Sequence, residues 1–381
     1  MRYVLWHAHK GPSLVAKYGD VIPDKLSLDT LADDEAKDGW VQSLDKDDQV
    51  CTVFGATDQI ALALHDREVS VSRIPFYRIP GFEKGVGKKP SELPVIMAIV
   101  ANSANQRPED FYQFRPLDAS IAHLKATAYG LYTIQEGLRK PAQLRLQSVY
   151  REEYLTAAVR PTMKEEAYVK QRLAESPIFP AIEEEEAQWL AKVKQALRGI
   201  PIWEHGLKGT AFRGIGPALA GTIIGVTGDI RRFPNHDAYV AYCGAHVIEA
   251  RAFLREHDIK DEMAQRRAGQ VANWKRQLRQ AMWKWSSMQI PKMAAQERFK
   301  DEPWVTMYLQ FHSREIEKRE AKGIPEEGQI ITTSSSGNGQ PKKQRWFGPG
   351  HLRRRAQAKL RTRLAKGIYQ RWNQLVIAGD M

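Results

Sequence analysis

The residues best suited to chemistry lie in RGIGPALAGTIIGVTGDIRRF, residues 213–233. Gly214 and Gly216 flank an isoleucine and permit a tight turn with close backbone approach. Pro217 suits the first turn of a helix, and free amides at such a helix start can hold a phosphate oxygen. Arg213 before the turn, and Arg231 and Arg232 beyond the helix, bracket it with positive charge. This is the chemistry of a helix-hairpin-helix grip on a nucleic-acid backbone. It is not a P-loop, since no Gly-Lys-Ser/Thr follows, and not a dinucleotide fingerprint, since no clear strand precedes it. Ala218, Ala220, Gly221 and Gly225 give the helix a smooth face, so close packing on a neighbouring helix fits equally well, and the two roles are compatible.

Two further stretches carry cations. In RAGQVANWKRQLRQAMWKWSSMQ, Trp274, Leu278, Ala281, Trp285 and Met288 mark one helical face, while Lys275, Arg276 and Arg279 lie off it. The last expected helix, HLRRRAQAKLRTRLAKGIYQRW, presents Arg353, Arg354, Arg355, Lys359, Arg361 and Arg363, and no acidic residue occurs from Lys342 to Gly379. Aromatic residues interleave with these charges, and such rings can stack on unpaired bases. Those at helical spacing (Trp274, Trp283, Trp285, Tyr369, Trp372) read as core. Trp346 and Phe347, in an expected loop, are the stacking candidates. No catalytic residue, metal site or cofactor is expected: His7 and His9 read as a solvated strand end, and the acidic run 183–186 as a helix start.

Composition narrows the partner. The net charge is +12, yet residues 251–381 alone hold 27 Lys/Arg against 13 Asp/Glu, so the basicity belongs to the last third. A field confined to one region suggests a polyanion, and nucleic acid is the reading preferred over a merely solvated surface. The two cysteines, Cys51 and Cys243, exclude a disulfide framework and a cysteine-based zinc site within the chain. A reducing, intracellular setting is expected. The start, MRYVLWHAHKG, has no signal-peptide pattern, and the longest apolar run, LPVIMAIVA, is too short to span a bilayer, so no membrane is expected.

These residues need elements to position them. RYVLW, QVCTVFG and EVSVSRIPFYRIP read as strands and ATDQIALALHD as a helix, giving an N-terminal α/β domain over 1–115. Leu117, Ile121, Leu124, Ala128, Leu131, Ile134 and Leu138 fall three or four apart and build one apolar stripe; Pro141 kinks or restarts that helix. Thr162 and Glu165 suit a capping box, and AIEEEEAQWLAKVKQALRG starts acidic, ends basic and stops at Gly199. Together these make a long antiparallel helical arm over 116–205. A helical nucleic-acid-binding domain follows over 206–325, then a Gly/Ser-rich flexible loop or linker over 326–350 and a basic C-terminal helix over 351–381. The expected fold class is α+β, mainly helical.

The stretch GIGPALAGTIIGVTGDIRRFPNHDAYVAYCGA resembles the C-terminal domain of the IS-one-ten family of transposases, recombinases guided by a bridge RNA. NWKRQLRQAMWKWS, FKDEPWVTMYLQF and the final basic helix are similar in order and character, and weakly the resemblance spans the chain. It implies a degenerate RuvC-like or Nop-type N-terminal domain and a C-terminal helical Nop- or transposase-like domain. That family cuts DNA with four acidic residues and a serine. Here WHAHK puts His7, GATD puts Gly55, and KPSELP puts Ser91 and Pro94 where the acids belong. No Ser or Thr occurs between Asp229 and Trp285, where the nucleophile belongs. The pattern is also similar to the Tas proteins of TIGR (tandem interspaced guide RNA) systems, relatives of these transposases and of the Nop-domain ribonucleoproteins. This resemblance implies a nuclease-lacking protein, prokaryotic or phage-encoded and cytoplasmic, that binds guide RNA and a double-stranded DNA target and forms a homodimer. Two alternatives stay open. One is a diverged or inactive recombinase using other carboxylates, such as Asp20, Asp58 or Asp229; the other is a guide-free DNA-binding protein.

Overall fold

Val4 and Leu5, neighbours in the first strand, are both buried. Successive side chains of a strand point to opposite faces, so this sheet must be covered on both sides. In the computed structural model, which describes residues 1–7, 12–53, 58–80, 92–157, 163–249, 261–263, 274–333 and 342–378, it is. Strands β1 (Arg2–His7), β2 (Ser13–Tyr18) and β3 (Asp29–Leu31) form an antiparallel meander. After α1 (Asp34–Ser43), β4 (Gln49–Val53) pairs parallel to β1; α2 (Asp58–His65) then crosses over to β5 (Ser70–Ile74), parallel to β4. Following α3 (Leu93–Gln106), the short β6 (Tyr112–Gln113) completes the order β3-β2-β1-β4-β5-β6. Leu5, Val15, Val50 and Val71 pack with residues of α1 and α2 on one face, and Val4, Ala16, Cys51 and Val53 with α3 on the other.

Residues 1–125 and 227–235 make this first unit, and residues 126–226 and 236–381 make a second. The expected 1–115 domain lies inside the first, joined there by the later segment that carries Asp229 and Arg231. His9, Gly55 and Ser91 lie outside the described residues.

The second unit is mainly helical, and the first ten residues of the helix that leads into it belong to the first unit. The chain runs through α4 (Pro116–Thr133), a π-helical segment (Ile134–Arg139) and α5 (Lys140–Thr156), then through α6 (Glu165–Glu175) and α7 (Ile178–Ala196). Gly130 lies so close to Trp189 that an added Cβ would fall 2.3 Å from its ring; Gln135 bonds Glu186 at 2.8 Å and Arg139 pairs with Glu183 at 3.2 Å. Partners that descend in number as the other side ascends define an antiparallel pair. Ile121, Leu124, Ala128, Leu131 and Ile134 are buried, but Leu138 is 47% exposed. The wider π turn changes the helical phase and carries Leu138 off the stripe, just before Pro141, whose missing N–H suits the start of α5. Thr162 lies outside the described residues, and Gly199, at φ +76°, follows α7 as a stop.

Beyond a second π segment (Ile202–Leu207) come α8 (Pro217–Thr227), α9 (His236–Tyr242) and the strand pair β7 (Val247–Glu249) and β8 (Asp261–Met263). Then α10 (Arg276–Lys284) passes through a third π segment (Trp285–Gln289) into α11 (Ile290–Ala294), followed by α12 (Pro303–Ala321). The expected 326–350 linker needs correction: β9 (Gln329–Thr333) and β10 (Lys342–Trp346) pair as an antiparallel ribbon. The last helix, α13 (Pro349–Ile377), is built into the core, burying Leu352, Ala356, Leu360, Leu364, Ile368 and Trp372 at i+4 spacing. The chain is thus α+β and mainly helical, with an N-terminal sheet region and a helical C-terminal part. Among the described residues, no helix is long and apolar enough to cross a membrane.

Candidate nucleic-acid interface

The glycine turn divides its two roles between its two glycines. Gly214 adopts φ +91°, and a Cβ there would meet the Trp285 Nε1 at 3.2 Å. That same Nε1 donates to the Arg213 carbonyl at 3.1 Å, so Gly214 serves close packing on the third π segment. A Cβ at Gly216, by contrast, would meet nothing within 4 Å, and Gly216 is exposed directly before α8. Its carbonyl already accepts from Ala220 N at 2.9 Å, fixing the first turn. On the smooth face of α8, Ala220, Gly221 and Gly225 are buried and Ala218 is half-buried.

The arginines that bracket the turn have internal partners. Arg213 pairs with Glu302 at 2.7 Å and lies over the Phe299 ring. In the first unit, Asp229 caps the turn Ile230–Arg232, accepting from Arg231 N at 2.8 Å and from Arg231 Nε at 2.9 Å with each oxygen. Arg231 stacks on Tyr112, and Tyr77 donates to its carbonyl at 3.1 Å. Burial works against the Arg231 charge, but the Asp229 carboxylate outweighs it and holds the guanidinium above its ordinary pKa. Arg73 completes the cluster, 2.8 Å from Asp118 and 3.9 Å from Asp229. Arg231 is therefore a fastening inside its unit, a charge the sequence offered to phosphate. Arg232 lies over Phe233.

On α13 the cations sort by position. Arg353, Arg354 and Arg363 are exposed and have no ion pair among the described residues. Arg355 and Lys359 instead reach Glu315, which is 0% exposed; Arg355 Nε lies 2.6 Å from it, and Lys359 Nζ also bonds it. Desolvation would raise the Glu315 pKa, yet Lys359 and Arg355 hold it below the usual carboxylate value. Arg361 is buried. On α10, Lys275 precedes the helix and Arg276 opens it, both exposed; Arg279 lies over the Trp274 ring at 4.6 Å and its pKa is lowered by burial.

The aromatic candidates are reordered. Phe347 is buried, at φ +59°, among Leu352, Ile316 and Ile324, so it is core where a stacking ring was expected. Trp346 packs edge-on to His351 at 4.8 Å. Trp285 and Trp372 are fully buried, as their spacing implied, but Trp283 is 45% exposed among the charges of α10. It stands one step off the apolar face, and that was the signal that could have singled it out.

Gly55 and Pro94 have no side-chain donor, and among the described residues no group of three His, Cys, Asp or Glu is arranged to hold a metal. Asp20 is exposed and pairs with Arg2 at 3.1 Å, Asp229 is committed to Arg231, and the Asp58 side chain lies outside the described residues. The first hydroxyl beyond Trp285, Ser286, is fully buried. Compared with known proteins, the chain matches no family model and no curated sequence.

Proposed function

We propose that the chain is a nuclease-lacking, RNA-guided DNA-binding protein: it grips a guide RNA, and base pairing by that guide selects a double-stranded DNA target. The observation that carries the nucleic-acid reading is the set of exposed arginines, Arg276, Arg345, Arg353, Arg354 and Arg363, without ion pairs among the described residues. The charge at α10 points the same way. Lys275, Arg276 and Arg279 crowd a helix start whose first turn has no acid, an orientation the helix dipole opposes. Phosphates bound there would suit the helix dipole, and release of their counterions would drive binding.

The guide rests on the resemblance of residues 214–245 to RNA-guided recombinases, and the loss of chemistry on the residues at the motif positions. The mixed sheet of the first unit is compatible with a RuvC-like origin. Selection by base pairing leaves the protein to hold backbone, which these arginines suit. A second copy of the chain, joined through the helical arm, completes the reading.

The test is sequencing of nucleic acid that co-purifies with the protein from its native host or with its flanking locus. A discrete, repeated small RNA is expected. Direct duplex binding without enriched RNA would favour a guide-free DNA-binding protein. Magnesium-dependent strand cleavage by the purified chain would replace the reading with a diverged recombinase.

A further inference from the structure

One side of α10 faces a cavity. Gln277, Gln280, Ala281 and Lys284 fall at i, i+3, i+4 and i+7 and line a partly open pocket of about 140 Å³. Tyr132 of α4, Gln135 of the π segment that follows it, and Leu219 and Thr222 of α8 close the other sides, all within the second unit. Cavities of about 150 Å³ can hold a benzene-sized ring.

The polar groups of this pocket are carboxamides and hydroxyls, because the one cation that lines it is already spent. Lys284 pairs with Glu136 at 3.4 Å. Gln280 Nε2 donates to the same carboxylate, and Gln135 Nε2 donates to Glu186 at 2.8 Å. A carboxylate only accepts, so each amide must turn its nitrogen towards it. That fixes both orientations and leaves each Oε1 as an acceptor. A charge-assisted bond also polarises the amide, which strengthens that acceptor. Thr222 spends its proton on the Ala218 carbonyl at 3.1 Å and likewise keeps an acceptor. Gln277 and the Tyr132 hydroxyl have no hydrogen-bond partner among the described residues.

We propose that this pocket receives one unpaired base of the bound RNA and selects a base that carries an exocyclic amino group. The proposal rests on the nucleic-acid reading above and adds a point of base recognition to a surface otherwise made of backbone contacts. The fixed oxygens of Gln135 and Gln280 are acceptors for the amino group. Gln277 offers an N–H beside a C=O, the pair with which a glutamine meets a base edge. A phosphate would find acceptors here where it needs donors. The adjoining phosphate falls to Arg276, which precedes Gln277, is exposed and has no ion pair among the described residues.

The test compares short oligocytidine and oligouridine RNA on the full-length protein freed of nucleic acid. Cytosine and uracil are alike in size and stacking, but uracil has a carbonyl where cytosine has its amino group. The wild type is expected to prefer oligocytidine at least about fivefold. Gln277→Leu loses no internal partner, so its Tm should hold, and the preference should shrink with the salt slope unchanged. Ala218→Phe, at another lining position, should fill the pocket and abolish the preference. Arg276→Met should instead weaken both RNAs alike and make the slope shallower by about one contact. Equal affinity of the wild type for the two RNAs, or a preference that survives in both pocket variants, would overturn the site while sparing the general function. Should Ala218→Phe not fold, Gln277→Leu decides. If the wild type binds neither RNA, that function falls, and saturation-transfer NMR with cytidine and uridine decides the pocket. Transfer to cytidine alone, lost in Gln277→Leu, retains the site; no transfer, or equal transfer to both, overturns it.

Discussion

Glu315 decides which basic residues remain for a ligand. It is wholly buried, and Arg355, Lys359 and Lys318 converge on it. Charge-assisted hydrogen bonds to a buried carboxylate contribute more than exposed pairs do. Its folded pKa lies below the ordinary value of 4.5. A depressed carboxylate contributes stability that is fully present above the unfolded pKa and is lost as pH falls through the lower folded one. Glu315→Gln should therefore destabilise the protein at pH 7 by about 2 kcal/mol. The gap to the wild type should hold down to about pH 4.5 and close below it. Denaturant melts of both proteins across that range check this; a gap independent of pH would mean that packing, not ionisation, is what Glu315 supplies. The turn glycines make a second contrast at this scale. Gly214→Ala forces a side chain into φ +91° against Trp285 and should cost about 1–3 kcal/mol. Gly216→Ala meets open space and should leave Tm nearly unchanged, so any loss of RNA affinity it causes reports backbone approach.

At the scale of the element, α13 is both core and surface, and its two faces should separate under mutation. Arg353, Arg354 and Arg363 reversed together to Glu should leave the fold intact and weaken RNA binding, with a salt slope reduced by up to about three contacts. Arg355→Glu should instead lower Tm, because it places a second carboxylate beside Glu315. Binding isotherms over a salt series, read beside thermal melts, distinguish the two faces. Local periodicity made part of this legible: the stripe of α4 and the strands β1, β4 and β5 follow spacing that residues a few positions apart impose, whereas β2, β3 and β6 were missed, and α7 starts at Ile178 with no acid in its first turn, so the run 183–186 is not the helix start expected of it. The ion pairs were not legible. Glu315 meets Arg355, Arg213 meets Glu302 and Arg73 meets Asp118 across forty residues or more, and no local pattern encodes which carboxylate a given arginine will reach. The same limit hid the ribbon of β9 and β10 behind a Gly/Ser-rich stretch, and Phe347 behind its loop-like neighbours. Leu138 was misread because spacing assumes an α-helical phase, which the π segment changes.

At the scale of the whole molecule, the helical arm needs a reason to expose what it exposes. α5 has 17 residues and buries none, while Leu144, Val149 and Leu155 stand 59%, 47% and 66% exposed along it. At about 3.6 residues per turn Leu144 and Leu155 share one side of α5 and Val149 lies on another, and exposed aliphatics of this kind suit an interaction surface. α6 packs beside it through Tyr154 and Tyr168, with Arg172 on Tyr150, so the arm is a helix pair with apolar surface to spare. A second copy is the occupant the resemblance implies, and a symmetric contact would place the same aliphatics opposite one another. Light scattering of the nucleic-acid-free protein should then give twice 43.4 kDa. Replacing Leu144, Val149 and Leu155 with Glu together should give the single mass without altering the fluorescence of the buried Trp285 and Trp372. RNA binding through α10 and α13 should survive in that monomer, with loss confined to any avidity the dimer provides. A wild type that is already monomeric would remove the second copy from the proposed assembly and leave the exposed aliphatics of α5 to be covered by another partner.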